Sequence, residues 1–238
     1  MDVPRWKGSL IARSARPSAI DEVGRPLVLS ADEILYRQGE ASNSLYYLDS
    51  GAVMIGVESA GGEQTIVAVH GPGAYFGGRS LNQEVHNATA TTLLQSAVVS
   101  LSKRAVQGLV QTDPTFARHF AMHMMRRAAQ LEEDQIDRAV NSLRKRLART
   151  LLILASLDVD SDEGHVLERM TAATLARMLS ADPHCIGKLL HDFRQAGHLE
   201  RGESLIVRSS LVNILLPPHL SEDYSPLDMF THAPSEGT

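Results

Sequence analysis

The stretch that decides the fold of the C-terminal half is 171–197, TAATLARMLSADPHCIGKLLHDFRQAG. Its first part, from Thr171 to Leu179, has the composition of a short helix, and Thr171 is a good N-cap because its hydroxyl can accept a hydrogen bond from a free N–H of the first turn. The tripeptide 180–182, Ser-Ala-Asp, then interrupts the helical pattern with turn residues. The stretch therefore predicts a short helix followed by a tight turn.

A second helix begins immediately after this turn. Asp182 is a favourable cap and Pro183 suits the first helical position, so the pair is a strong start signal. Gly197 is the residue type that ends such a helix. Its apolar face comprises Ile186, Leu189, Leu190 and Phe193. A polar stripe on the opposite side comprises His184, Lys188, His191 and Gln195.

A hairpin is predicted after the second helix, with strands at Leu199 and 205–207 and a tip at 201–204. Helix, turn, helix and hairpin in this order indicate a winged helix-turn-helix, whose second helix enters the DNA major groove. The alternative is an ordinary solvated face. The predicted DNA contacts are Thr171 and Thr174 to phosphates, His184, Cys185, Lys188 and His191 from the recognition helix, and Arg201 from the wing.

The N-terminal half has a different pattern, in which short apolar runs alternate with glycine turns. The runs are Leu45–Leu48, Ala52–Val57, Thr65–Val69 and Leu93–Leu101. Such spacing predicts a small antiparallel barrel or sandwich. Residues 1–30, punctuated by prolines, are predicted to be irregular.

A long helix is predicted between these two parts. Asp113 can cap it, and Pro114 suits its first turn. Small and apolar residues recur along it at heptad spacing, at Ala117, Ala121, Met124, Ala128 and Leu131. This seam fits either a helix that lies on its own barrel or a helix that pairs with a second copy of the chain. A further helix is predicted over Leu143–Leu157, followed by an acidic linker over 158–164.

Three segments together resemble the cyclic-AMP-receptor/fumarate-nitrate-reduction regulator (Crp/Fnr) superfamily. Gly39-Glu40 with 45–51, LYYLDSG, is similar to a strand-turn-strand motif of that family. The segment 73–81, GAYFGGRSL, is placed like its phosphate-binding cassette, and 171–190 is similar to its helix-turn-helix. The resemblance implies an α+β fold with a cyclic-nucleotide-binding-like antiparallel β-roll, a long dimerisation helix and a C-terminal winged helix-turn-helix. It also implies allostery, in which an effector in the roll reorients two recognition helices.

The predicted effector pocket departs from the family pattern. It comprises Gly77, Gly78, Arg79, Ser80, His86 and Asn87. The family's ribose-binding glutamate would fall at Gly78, and its phosphate-binding arginine at His86 or Asn87. Histidine offers no bidentate fork to a phosphate, although Arg79 is a nearby cation that could substitute. We therefore predict that cyclic AMP is not the effector.

The composition excludes several other classes of protein. A single cysteine excludes a four-cysteine iron–sulfur site and a disulfide framework, and neither a Walker nor a Rossmann glycine loop is present. His119 and His123 have the spacing of a metal pair, but Phe120 stands where a metalloprotease needs glutamate. We predict a non-enzyme with no metal or cofactor, without a membrane segment and located in the cytoplasm.

These observations predict a dimeric, sequence-specific transcription regulator with a degenerate or altered effector pocket. The predicted units are 1–30, a β-roll over 31–112, the dimerisation helix over 113–138, the winged helix-turn-helix over 139–216 and a flexible acidic tail over 217–238. Its predicted partners are palindromic double-stranded DNA and a second copy of the chain, with RNA polymerase and an unknown small effector as further candidates. Cys185, in the first turn of the recognition helix, is also a redox candidate. The alternative is a cyclic-nucleotide-binding protein whose C-terminal helices contact a protein partner.

Overall fold

A short helix and a strand lie within residues 19–29, ahead of the first strand that the sequence predicts. The computed structural model describes residues 16–78, 84–158, 165–200 and 205–215. Helix α1 spans Ala19–Val23 and strand β1 spans Arg25–Leu29. The prediction of an irregular segment over 1–30 is therefore wrong for residues 16–30, while residues 1–15 lie outside the described part of the chain. Only Leu29 is buried in β1, which leaves little hydrophobic alternation to detect. Pro26 is tolerated because β1 is an edge strand.

Two antiparallel sheets form a β-roll within the described residues. Their strand orders are β1-β8-β3-β6 and β2-β7-β4-β5. The strands after β1 are β2 Ile34–Tyr36, β3 Ser44–Ser50, β4 Val53–Glu58, β5 Gln64–His70, β6 Tyr75–Phe76, β7 Thr89–Thr92 and β8 Ser96–Ser102. Their inward side chains, including Leu48, Val53, Ile55, Phe76 and Val98, form the core of the roll. The predicted antiparallel architecture is confirmed.

The apolar run Leu93–Leu101, predicted as one strand, contains a turn instead. Strand β7 ends at Thr92 and β8 begins at Ser96. The Ser96 hydroxyl fixes the turn, since it donates to the carbonyl of Leu94 at 2.8 Å. Leu93 and Leu94 are nevertheless buried, so the turn has the hydrophobicity of a strand.

Two helices follow the roll. Helix α2, Lys103–Thr112, was not predicted, and its N-terminus is capped by the Ser102 hydroxyl. Helix α3 spans Pro114–Val140. The Asp113 carboxylate accepts hydrogen bonds from the N–H groups of Thr115 and Phe116, at 2.8 and 2.9 Å. The start predicted for the long helix is therefore confirmed.

The C-terminal unit contains helices α4 Leu143–Asp158, α5 Ala172–Leu179 and α6 Pro183–Gln195, with 3-10 turns at Val166–Arg169 and Ser209–Ile214. Leu147, Leu151 and Leu154 of α4 are buried, as their spacing predicts. The same apolar cluster includes Leu93 and Leu94 of the roll, so the two units pack against each other. Most of the predicted linker and the whole predicted tail, 159–164 and 217–238, lie outside the described residues.

Candidate nucleic-acid interface and effector site

Local hydrogen bonds build the helix-turn-helix as the sequence predicts. The Thr171 hydroxyl accepts a hydrogen bond from the N–H of Thr174 at 3.1 Å and caps α5. Ser180 has a left-handed backbone with φ 50°, which ends α5 and turns the chain. One carboxylate oxygen of Asp182 then accepts from the N–H groups of His184 and Cys185, at 2.9 and 3.2 Å. The orientation of α6 is thus fixed at its first turn.

Helix α6 buries one face and exposes the other. Ile186, Leu190 and Phe193 are buried in the core of the C-terminal unit. The side chains exposed on the other side are His184, Cys185, Lys188, His191 and Gln195. We call these five the α6 stripe. They can form hydrogen bonds and one carries a full positive charge, so the stripe can contact base edges and phosphates.

The structure separates the two predicted threonine contacts. Thr171 is exposed at the start of α5, whereas Thr174 is only 9% exposed. The hydroxyl groups of these two residues lie 2.9 Å apart and form a hydrogen bond. A buried hydroxyl that already has a partner is poorly placed for a phosphate, so we remove Thr174 from the candidate interface and retain Thr171.

The wing is confirmed at its base. Leu199 and Val207 form an antiparallel bridge, and the Glu200 N–H donates to the carbonyl of Ile206 at 3.0 Å. Arg201, the predicted wing contact, lies outside the described residues. Arg208, at the base of the hairpin and half exposed, is a second basic candidate that the sequence analysis missed because it follows the predicted strand rather than its tip.

The effector site begins at a glycine that no other residue can readily replace. Gly77 has φ +73°, and a Cβ atom at this position would lie 2.8 Å from the ring of Tyr46. Gly78 offers no side chain for a ribose hydroxyl, and Asn87 is exposed. Arg79 and Ser80 lie outside the described residues. Gly77 and Gly78 therefore supply no carboxylate for a ribose hydroxyl.

His86 is one of the two positions predicted for the phosphate-binding arginine, but its ring packs inside the roll. It is 6% exposed and stacks on Tyr36, with ring centroids 3.8 Å apart and an interplanar angle of 10°. Its Nδ1 lies 3.3 Å from the hydroxyl of Ser42. Burial lowers the pKa of His86, and the nearby Glu40 carboxylate opposes this shift only in part. The side chain is thus uncharged at neutral pH and cannot replace a guanidinium.

Tyr36 was not among the predicted pocket residues. It lies 50 positions before His86, so no local spacing could have indicated their stacking.

Helix α3 turns an apolar face away from the roll. Phe116 is buried against the roll, while Met124 and Leu131 of the predicted seam are 37% and 47% exposed in the single chain. Ala121 and Ala128, between them in the seam, are also exposed. Such a row of apolar side chains is typical of a helix that packs against a partner.

Two histidines of α3 hold strand β6 rather than form a metal pair. The Tyr75 N–H donates to Nε2 of His123 at 3.2 Å, and the Tyr75 hydroxyl lies 3.1 Å from Nδ1 of His119. No cluster of three metal-ligating side chains occurs in the described part of the chain. Burial lowers the pKa of His123 to about 4 and that of His70, which faces it from β5, to about 3.

We expect the free energy of unfolding to fall as the pH drops from about 6.5 towards 4. In the unfolded chain these histidines bind protons near pH 6.5, whereas in the folded chain they bind them only at lower pH. The contribution of these histidines to the free energy of unfolding is therefore fully present above pH 6.5. Below pH 6.5 it decreases by up to about 1.4 kcal/mol per pH unit for each such histidine. Urea unfolding at several pH values measures this slope. The variant His123→Gln should lose part of the slope, and an unchanged slope would contradict the assignment.

A β-roll, a long helix and a winged helix-turn-helix, in this order, define a class of transcription regulators. The family model for the cyclic nucleotide-binding domain matches residues 26–113. The chain is 24% identical over 207 residues to a CRP-like cAMP-activated global transcriptional regulator of Mycobacterium tuberculosis, covering 84% of this chain and 92% of that protein.

Two solved structures share the fold. One is the c-di-GMP responsive global regulator CLP of Xanthomonas campestris, with a TM-score of 0.66 and 20% identity, covering 81% of this chain and 97% of that one. The other is a CRP/FNR family regulator of Thermus thermophilus, with a TM-score of 0.65 and 18% identity, covering 80% and 97%. In sequence and in fold, the chain is therefore similar to the Crp/Fnr transcription regulators. Among the described residues, none of the helices combines the length and the apolarity that a bilayer crossing requires.

Proposed function

We propose that the protein is a homodimeric, sequence-specific DNA-binding transcription regulator that acts independently of cyclic AMP. The observation that carries the proposal is the exposed α6 stripe on a helix whose first turn is fixed by Asp182 and whose other face is buried. A recognition helix needs this combination, because base contacts require side chains that project outward from a rigid support.

The α6 stripe suggests a division of roles at the DNA. Lys188 can donate to guanine O6 and N7, and His184 can donate to a base or a phosphate. Exposed Thr171, at the N-terminus of α5, and exposed Arg208, at the base of the hairpin, could contact phosphates and fix the register. Two such units related by a twofold axis would read a palindrome, with half-sites about one helical turn apart.

Selection from a random DNA pool tests this function. The full-length chain is expected to enrich a palindromic sequence, and its affinity for that sequence should decrease steeply with salt because phosphate contacts release counterions. Failure to enrich any sequence, together with a weak salt dependence, would contradict the proposal. RNA polymerase remains a candidate partner, to be tested on the selected site.

The residues of the candidate effector site support a regulator whose DNA binding does not require cyclic AMP. A cyclic nucleotide presents a phosphate anion and a ribose hydroxyl, which call for a guanidinium and a carboxylate. The uncharged, stacked His86 and the bare Gly78 supply neither group. The Xanthomonas regulator with the same fold is c-di-GMP responsive, so the fold is compatible with effectors other than cyclic AMP.

Calorimetry with cyclic AMP should therefore detect no binding in the micromolar range. The double variant Gly78→Glu, His86→Arg is not expected to restore it, because the arginine would have to replace a ring that is buried against Tyr36. Micromolar binding to the parent chain, or a DNA complex that forms only with added cyclic AMP, would overturn this prediction.

Oxidation of Cys185 is expected to weaken DNA binding. The thiol is free and exposed at the first turn of α6. A sulfinic or sulfonic acid there would be larger, charged and repelled by phosphate. A peroxide titration of DNA affinity should weaken the parent several-fold and leave Cys185→Ser unchanged. Equal effects on both proteins would remove Cys185 from consideration as a switch.

A second candidate function is a cyclic-nucleotide-binding protein whose C-terminal helices contact another protein. The net charge of −5 and the presence of Pro183 where the family often places a base-contacting arginine favour this candidate. The DNA selection and the calorimetry distinguish the two functions, since this candidate requires no enriched palindrome and measurable nucleotide binding.

A further inference from the structure

We propose that the roll and the DNA-binding unit of one chain are coupled directly, through a docked interface that does not involve helix α3. The interface joins the outer face of the sheet β2-β7-β4-β5 to helices α4 and α5. The coupling rests on the DNA-binding function proposed above.

The apolar part of the interface covers one end of the sheet. Val53 and Ile55 of β4 point into the roll, whereas Met54, between them, belongs to the cluster that contains the buried core of α4, α5 and α6. Val69 of β5 also joins that cluster, while Val67, two residues earlier, remains 46% exposed. Part of a sheet face that would ordinarily contact water is thus covered by the DNA-binding unit.

Two polar contacts hold the two edges of the same sheet. At one edge, just before β2, the Asp32 carboxylate accepts a hydrogen bond from Arg169 at 2.9 Å. At the other edge, on β5, the Gln64 side-chain oxygen accepts from Arg177 of α5, also at 2.9 Å. Contacts at opposite edges restrict rotation of the DNA-binding unit on the sheet, although exposed pairs add little to stability.

Gly71 connects the interface to the effector site along the chain. A Cβ atom at Gly71 would lie 2.6 Å from a methyl group of Leu157, near the end of α4. Gly71 also lies in the turn between β5 and β6, six residues before Gly77. Movement of this turn, as on effector binding, would therefore displace α4 directly.

This coupling should persist when the chain is monomeric, because every contact of the interface lies within one chain. Communication through paired α3 helices would be lost under the same condition. Linkage is reciprocal, so DNA bound at α6 should also change the behaviour of β5.

The substitution Gly71→Leu tests the interface from the side of the roll. The matched control is Gly61→Leu, at the exposed tip of the β4–β5 hairpin, where the nearest side-chain atom is 3.8 Å from the new Cβ. Hydrogen exchange of the full-length chain without DNA should become at least fivefold faster in β5 and α5 for Gly71→Leu and stay unchanged for Gly61→Leu. The milder double variant Asp32→Asn, Gln64→Ala should show the same trend if Gly71→Leu fails to fold.

Exchange measured with the selected DNA completes the test. In the parent chain, and also in a monomeric variant saturated with a half-site, DNA should change the exchange of β5 amides at least threefold. Gly71→Leu should lose this response, and Gly61→Leu should keep it. An unchanged β5 in the parent, or an equal response in Gly71→Leu, would overturn the coupling. Absence of any DNA complex would instead show that the proposed function is wrong, while the exchange without DNA still reports whether the units dock.

Discussion

Reversing the charge of Lys188 is expected to lower the affinity for the selected DNA site at least ~100-fold, by removing a base contact and introducing repulsion from phosphates. Lys188 is exposed in the middle of the α6 stripe, and a dimer carries the substitution twice. In Lys188→Glu the affinity should also depend less steeply on salt concentration. With one cationic contact fewer per subunit, binding releases fewer counterions from the DNA. Lys188→Arg should bind nearly as well as the parent, because arginine can also make a bidentate contact with guanine.

Arg104→Glu is the matched control for this prediction. It produces the same change of charge at an exposed position of α2, on the roll. A loss of affinity caused only by the change in net charge would appear equally in both variants, whereas loss of a direct contact would appear only in Lys188→Glu. Fluorescence anisotropy at two salt concentrations measures all three variants. Equal losses for Lys188→Glu and Arg104→Glu would place the DNA elsewhere on the protein.

The helix boundaries were predictable because their signals are local. Asp113 with Pro114 and Asp182 with Pro183 each place a cap next to a residue that suits the first turn, and both helices begin there. Thr171 caps α5 for the same reason. Such signals act within one turn of chain, so they can be read without knowledge of the tertiary contacts.

The errors arose where tertiary contacts determine the structure. Strand β1 has a proline and little alternation, and its pairing with β8 depends on residues some 70 positions later. Thr174 is a surface-type residue by composition, but it faces inward because α5 buries that side against the core. The stacking of His86 on Tyr36 likewise joins two distant segments, so spacing alone could not show that the histidine is buried and uncharged.

The packing of the DNA-binding unit on the roll could not be predicted from the sequence either. Met54 and Val69 look like ordinary outward positions of a sheet, and only the packing of α4 and α5 shows that they are covered. In the proposed dimer, a second copy of the chain covers the exposed apolar side chains of α3.

Met124→Glu is expected to weaken dimerisation at least ~100-fold. In the proposed dimer this substitution replaces two buried methionines, each contributing about 1.5–3 kcal/mol through apolar burial, and places two carboxylates beside the twofold axis. Met124 lies at the centre of the predicted seam and is 37% exposed in the single chain. The variant should therefore be monomeric at micromolar concentration, and it should bind a full palindrome no better than a half-site.

Met122→Glu is the control that separates the seam from the rest of α3. Met122 is 43% exposed, but two residues from Met124 on a helix its side chain points about 160° away, since successive residues are rotated by about 100°. The control adds the same charge to the same helix and should leave the dimer intact. Multi-angle light scattering gives both masses, and circular dichroism shows whether α3 remains helical. If both variants stayed dimeric, α3 would not pair through the predicted seam; if both became monomeric, the interface would extend over the opposite face of the helix.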